Sequence, residues 1–257
     1  TFTPMIHSQL TSVSNNGVEL NDGTRLYPMG ERALVLDASH SVATVETAEA
    51  NTDDAILATQ RRIWRLAHAL QMEGGLLEVV PGMHNLTVLF NPLARGRSYW
   101  QRTLAALWQQ AKAAPSATEQ QNAASIEIEV DYSPAAAIDL HAVASETGLN
   151  TDAVIELHCQ ASYTVMFIGF QPGFAYLHGL PEALITARKS TPATRVPAGS
   201  VAIAGAQTAI YPFASPGGWH IIGRSDVALF NPERNPAALL KAGDTVHFVR
   251  AIRGTNR

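Results

Sequence analysis

The sequence predicts an α+β chain in two parts, a β-α-β-β-α-β unit followed by a region built almost wholly of short strands. Three observations predict it. Apolar residues recur at helical spacing through Ile56, Ile63, Ala67 and Leu70, and again through Trp100, Leu104, Leu107 and Ala111. Short apolar or alternating runs lie before, between and after these stretches. From Tyr163 onward, Gly and Pro separate runs too short to be helices.

The first part begins with "RALVLD" (32–37), a short apolar strand. Polar residues 38–54 supply Thr52, Asp53 or Asp54 as a helix cap. The helix runs through "AILATQRRIWRLAHALQ" and stops at Gly74-Gly75. "LLEVVPGMHNLTVLFNP" (76–92) reads as two strands around a Pro-Gly turn. Ser98 can cap a second helix, which ends before Pro115. "SIEIEVDY" (125–132) alternates strictly and is a strand that fits either part. This order is the split βαβ, ferredoxin-like pattern. "PSATEQQNAA" (115–124) is the expected linker, and two short helices follow at 137–148 and 150–160, the latter capped by Asn150 or Thr151. "YTVMFIGF", "SVAIAG", "TAIYPF", "WHIIGR" and "DTVHFVRAI" then read as strands of an all-β barrel or sandwich.

Composition sets outer bounds. The chain has 257 residues, 46% hydrophobic and 16% charged, enough to bury a core. A formal charge of −4 argues against bulk binding to nucleic acid or an acidic membrane. Cys159 is the single cysteine, and no two histidines stand three or four apart, so neither a disulfide nor a structural zinc site is expected. "TFTPMIHSQLTSVSNNG" has no basic n-region or apolar h-region, and every long apolar stretch is interrupted well short of a membrane span. The expectation is a cytoplasmic protein without a metal of its own.

Two stretches carry a resemblance. "GFQPGFAYLHGL" (169–180) followed by "TPATRVPAGSVAIAGAQTAIYPFASPGGWHIIGR" resembles the 5-oxoprolinase B-subunit family, also called allophanate hydrolase subunit 1, which includes a sporulation-kinase inhibitor. The resemblance extends upstream through "YPMGERALVL", "EVVPGMHNLTVLFNP" and "DLHAVASETGLNTDAVIELH", covering roughly residues 25–250. It implies a ferredoxin-like domain at 25–124 and a cyclophilin-like β-barrel at 125–257, with an N-terminal extension at 1–24. It also implies work with a homologous C component and with an A component, opening the lactam of 5-oxoproline to glutamate with ATP. Departures stand at Ala187 before Arg188, at Ala193 where the family pattern has Arg, at "YSPAAAID" in place of a Gly-rich loop, and at Ala209 in place of Gly.

A lactam is a poor electrophile. ATP can activate its carbonyl oxygen, and the site then needs cations, a base for water and oxyanion donors. The expected chemical residues are Arg188, Arg195 and Gln207, with His158 as the base that the resemblance favours. The expected binding residues are Phe170, Phe174, Tyr176, Ser200, Thr208, Tyr211, Trp219 and Arg224. Each has a plainer reading. The arginines pair with carboxylates on the surface, His158 packs in a domain seam or at a helix end, and the aromatics are core. Gln207 and Thr208 could equally be a turn bonded to itself. "PAGSV" is not a nucleophile elbow, and no Walker A pattern exists, so ATP, with Mg²⁺ where required, is expected mainly on the partner components. No Met-Lys-Met is present to carry biotin. Arg61, Arg62 and Arg65 beside Trp64 read as a solvated face, a partner-docking face being the alternative.

The first expectation is one component of an ATP-dependent amidohydrolase, inactive without its partners. Its rivals are a regulatory module that inhibits a sensor histidine kinase, and a carboxyltransferase-like partner in urea-amide metabolism.

Overall fold

The structure, a computed structural model, describes residues 10–14, 17–40, 52–112 and 123–251. The chain divides into two compact units, 1–116 and 117–257.

The first unit holds strands β1 (Leu10–Ser14), β2 (Gly17–Leu20), β3 (Arg25–Met29), β4 (Ala33–Asp37), β5 (Leu76–Pro81) and β6 (Asn85–Phe90), with helices α1 (Thr52–Glu73) and α2 (Arg97–Gln110). The strands form one antiparallel sheet in the order β1-β2-β3-β4-β6-β5. Alternate residues Leu86, Val88 and Phe90 of β6 share a buried cluster with Ile63, Leu66 and Leu70 of α1 and Trp100, Leu104 and Trp108 of α2. Each such side chain contributes about 1.5–3 kcal/mol on burial, far more than helix propensity supplies. Gly74 ends α1 at φ 70, its N–H donating to the Leu70 carbonyl at 3.3 Å. Ser98 is not the cap of α2. Gly96 holds that position without a side-chain bond, and Ser98 lies inside the first turn.

Five elements, β4-α1-β5-β6-α2, follow the ferredoxin-like order. The sixth does not, because strand 125–130 pairs in the second unit. The edge of β4 that a returning strand would use is taken by β3, paired from Arg25↔Asp37 to Met29↔Ala33. Residues 17–20, expected as part of an extension, form β2 of the same sheet. The expected linker at 115–124 lies outside the described residues except for 123 and 124.

Within the arginine cluster Arg61 is exposed as expected, but Arg62 does not belong to a solvated face. The Arg62 side chain is 12% exposed. Its guanidinium lies 3.4 Å from the Trp108 ring centroid, donates to Asp22 at 2.8 Å and donates twice to the Trp108 carbonyl, at 3.1 and 2.8 Å. The Trp108 indole N–H in turn faces Asp22 and Thr24, each at 3.1 Å. A planar guanidinium can stack and bond at its edge together, which places this charge indoors.

The second unit comprises β7 (Ser125–Val130), α3 (Leu140–Thr147), α4 (Thr151–Gln160), β8 (Tyr163–Ile168), β9 (Ala175–His178), β10 (Ala193–Val196), β11 (Ser200–Ala204), β12 (Gln207–Ile210), β13 (Ser215–Gly217), β14 (His220–Arg224) and β15 (Thr245–Arg250). Seven strands form a sheet in the order β14-β11-β12-β9-β8-β15-β7, parallel only between β15 and β7. Its two ends meet. Asp131 N–H donates to the Arg224 carbonyl at 2.7 Å and Arg224 N–H to the Asp131 carbonyl at 2.9 Å, so the sheet is a nearly closed barrel. Asn150 caps α4, its Oδ1 accepting from Ala153 N–H at 2.8 Å.

Alternation gives this sheet two apolar faces. Leu177, Val201, Ile203 and Ile210 join Val143, Val154 and Ile155 of the helices in the main core. Phe174, Ala202, Ala204, Ala209, Tyr211, Trp219 and Ile221 form a second cluster with Val196 of β10. "GFQPGFAYLHGL" is a hairpin: Pro172-Gly173 turns β8 into β9, a strand that the sequence pattern does not announce. Gly173 has φ 79, and a Cβ there would stand 2.9 Å from Phe230 Cβ, so only glycine fits this turn.

Candidate functional site

The residues expected at one site separate onto the two faces of the barrel sheet. His158 is fully buried in the main core, at the last turn of α4. Its ring stacks on Phe248 with centroids 4.5 Å apart. Nδ1 lies 2.8 Å from the Tyr132 hydroxyl and Nε2 3.1 Å from Thr208 Oγ1, which donates to the Ala202 carbonyl at 3.1 Å. The donors order themselves along this chain: Thr208 spends its proton on Ala202, so Nε2–H donates to Thr208, and Nδ1 accepts from Tyr132. Burial draws the His158 pKa down to about 3. With both nitrogens bonded inside the core, the imidazole is an anchor and is not presented to a solvent-side ligand. Thr208 belongs to the same chain of bonds, not to a binding surface.

That burial has a pH signature. Between the ordinary 6.5 and about 3, the unfolded chain takes up a proton that the folded chain refuses. Stability is therefore complete above about 6.5 and falls by ~1.4 kcal/mol per pH unit below it. Denaturant titrations at pH 7 and pH 5 should differ by about 2 kcal/mol, and His158→Phe should flatten that slope.

The opposite face carries the second group. Phe174, Tyr176, Tyr211 and Trp219 meet edge to face, with centroids 4.9 Å apart for Phe174–Tyr176, 5.3 Å for Phe174–Tyr211 and 6.0 Å for the contacts of Trp219 with Phe174 and Tyr176. Phe167 stacks on Tyr176 at 4.2 Å. Phe170 stands at the rim, 62% exposed, with a left-handed φ of 65. A bulky side chain there costs about 1–2 kcal/mol; its edge contact with Phe174, at 5.4 Å, offsets part of that. Burial pushes the Tyr176 and Tyr211 hydroxyls above their ordinary range, and the Arg188 charge works against burial at both. Lys189 N–H donates to the Gly218 carbonyl at 2.8 Å, next to Gly217 against the Tyr211 hydroxyl, which brings the Arg188 segment to the edge of this cluster. Arg188 is exposed and makes no hydrogen bond or ion pair with a described residue. Gly217 completes the wall: a Cβ there would overlap the Tyr211 hydroxyl.

The remaining expected residues lie elsewhere. Gln207 shares this face by alternation but sits four residues from Tyr211, about 13 Å along the strand direction. Ser200 is buried, on the face of Ala202 by the same alternation. Arg195 is exposed beside buried Val196 in β10. Arg224 is at the barrel's seam, 3.7 Å from Asp226, where it lines a cleft of about 320 Å³ with Glu127, Glu129 and Asp131. Its ion-pair partner is Asp226, and that cleft is not the aromatic wall. Sequence reasoning does not find Lys189 and Asp139, which meet at 2.8 Å beside Arg188. Fifty residues separate them, and no periodicity joins them.

The family described as carboxyltransferase domain, subdomain C and D, matches residues 24–240. A protein of Escherichia coli O157:H7, named as the B subunit of 5-oxoprolinase, is 42% identical over 226 residues, 88% of this chain and 95% of that protein. The chain belongs to the 5-oxoprolinase B-subunit family. The solved protein TTHA0988 is 39% identical, with a TM-score of 0.65 over 78% of this chain. This chain spans 38% of the length of that structure. The Kluyveromyces lactis urea amidolyase superposes with a TM-score of 0.71 over 95% of this chain and 16% of its own, at 17% identity, which is likeness of fold. Within the 5-oxoprolinase B-subunit family, the departure at Ala193 acquires a location. It is half-buried against the aromatic cluster, paired across to Gly217.

Proposed function

We propose that this chain is the B component of a cytoplasmic 5-oxoprolinase, which opens 5-oxoproline to glutamate with ATP in assembly with the A and C components and is inactive alone. The carrying observation is Arg188, an exposed guanidinium that bonds no described residue, on a segment tied at Lys189 to Gly218 at the edge of the cluster of Tyr176, Tyr211 and Trp219. A fork with five N–H donors suits a carboxylate, and the aromatic faces suit the flat lactam ring. The Tyr211 hydroxyl, beside Gly217, donates to the lactam carbonyl as charge builds on its oxygen. In this reading the chain binds and orients 5-oxoproline.

The wall does not fit a nucleotide triphosphate, which is held by several cations and a cradle of backbone N–H groups. ATP and its Mg²⁺ are assigned to the partner components, where they supply activation of the lactam. No helix among the described residues is long and apolar enough to cross a membrane.

Mixing the purified A, B and C components with 5-oxoproline and ATP tests the reading. Glutamate and phosphate should appear together, and leaving out this chain should abolish both. Turnover at the full rate without it would refute the assignment.

A further inference from the structure

We propose that Lys189 and Asp139 are a positioning pair that holds the backbone around Arg188, keeping its side chain at the edge of the Tyr176–Tyr211 cluster; this rests on the reading of Arg188 as the anion hook. Lys189 Nζ donates to both Asp139 oxygens, at 2.8 and 2.9 Å. The two side chains are only 25% and 15% exposed. Asp139 Oδ2 also accepts from Ile221 N–H at 2.8 Å, and Asp139 N–H donates to the Ile221 carbonyl at 2.9 Å. The Lys189 N–H donates to the Gly218 carbonyl at 2.8 Å, and His220 Nε2 lies 3.0 Å from the Ala187 carbonyl. The chain is thus tied down on both sides of Arg188, to β14 and the turn that enters it, and the Arg188 side chain is left unbonded to any described residue.

Two consequences follow from the chemistry. Ordering one backbone residue costs about 1–2 kcal/mol, so a tethered Arg188 binds an anion without meeting that cost on each encounter. Asp139 also neutralises Lys189. Arg188 is then left without a second charge one residue away, which an unpaired Lys189 would add. An exposed lysine–carboxylate contact is worth little; this one is doubly bonded, mostly buried and shares its acceptor with a strand amide.

The test is NMR of the full chain with ¹⁵N-labelled arginine, reading through-space contacts from the Arg188 Nε–H to the Tyr176 and Tyr211 rings. Wild type and Lys189→Arg should show them. Lys189→Met and Asp139→Asn should lose them while the amide shifts of β11 and β12 stay native. Contacts that persist in both charge-removing variants overturn the proposal, as does their absence from wild type or loss of the native sheet shifts in both variants. In the assembled enzyme, Lys189→Met should raise KM for 5-oxoproline about tenfold with kcat changed by less than about twofold, and Lys189→Arg should restore it. An unchanged KM overturns the proposal. An idle wild-type assembly refutes the 5-oxoprolinase reading alone, and the NMR contacts then still decide the positioning role.

Discussion

Replacing Arg188 by Met is expected to lower kcat/KM for 5-oxoproline about 100-fold in the assembled enzyme, chiefly through KM. A charge-assisted bond to a carboxylate contributes about 1.5–3 kcal/mol, and each 1.4 kcal/mol is tenfold. The same change should leave the melting temperature where it is, because the guanidinium bonds no described residue and the side chain is exposed. Arg188→Lys should recover only part of the loss. An ammonium matches the charge but not the two-pronged geometry. Steady-state kinetics beside a thermal melt separates the two effects. A KM within about twofold of wild type for Arg188→Met would remove Arg188 from the site.

Replacing Arg62 by Met is expected to destabilise the first unit by about 3 kcal/mol. Three groups lose their partner together: the Asp22 carboxylate, the Trp108 carbonyl near the end of α2 and the face of the Trp108 ring. Asp22 keeps the Trp108 indole N–H, and Lys112 stands at 3.6 Å, which holds the loss below the upper end for a stranded buried charge. The pair also sets an acid limit. Burial raises the Asp22 pKa, and the hydrogen bonds from Arg62 and Thr24, with the Arg62 charge, overcome it and bring the value to about 2. A carboxyl lowered on folding contributes stability that is complete above its unfolded value of 3.8 and is lost as pH falls through about 2. Asp22→Asn should remove that acid-side slope. Denaturant melts of wild type and both variants between pH 5 and pH 2 check the magnitude and the sign together.

Local signals carry much of the fold. Periodicity locates α1 and α2, Asn150 caps α4 as its side chain suggests, and the Pro-Gly turns fall between strands. What stays hidden is the pairing of distant segments. Strand 125–130 reads the same whether it returns to the first sheet or joins β15, and only the occupied edge of β4 decides. Arg62 reads as solvated because charge along a helix says nothing of an indole forty-six residues away. β9 is not legible because a four-residue strand behind a tight turn has too few positions to show alternation.

The candidate site is legible in the same partial way. Phe174, Tyr176, Tyr211 and Trp219 do converge, and the segment that carries Arg188 runs at their edge. His158 and Thr208 fall on the other face because one residue along β12 reverses the side of the sheet. Composition alone cannot assign a histidine to a base or to a core, and here its two neutral hydroxyl partners place it in the core. The tether of Arg188 depends on Asp139, remote in sequence and adjacent only through β14.

A crystal structure of the assembled components with 5-oxoproline bound would be decisive. The ligand carboxylate is expected within hydrogen-bond distance of the Arg188 guanidinium, its ring lying against Tyr176 and Tyr211. A ligand seated in the cleft beside Arg224, or held wholly by a partner component, would contradict the role given to Arg188 and its aromatic wall.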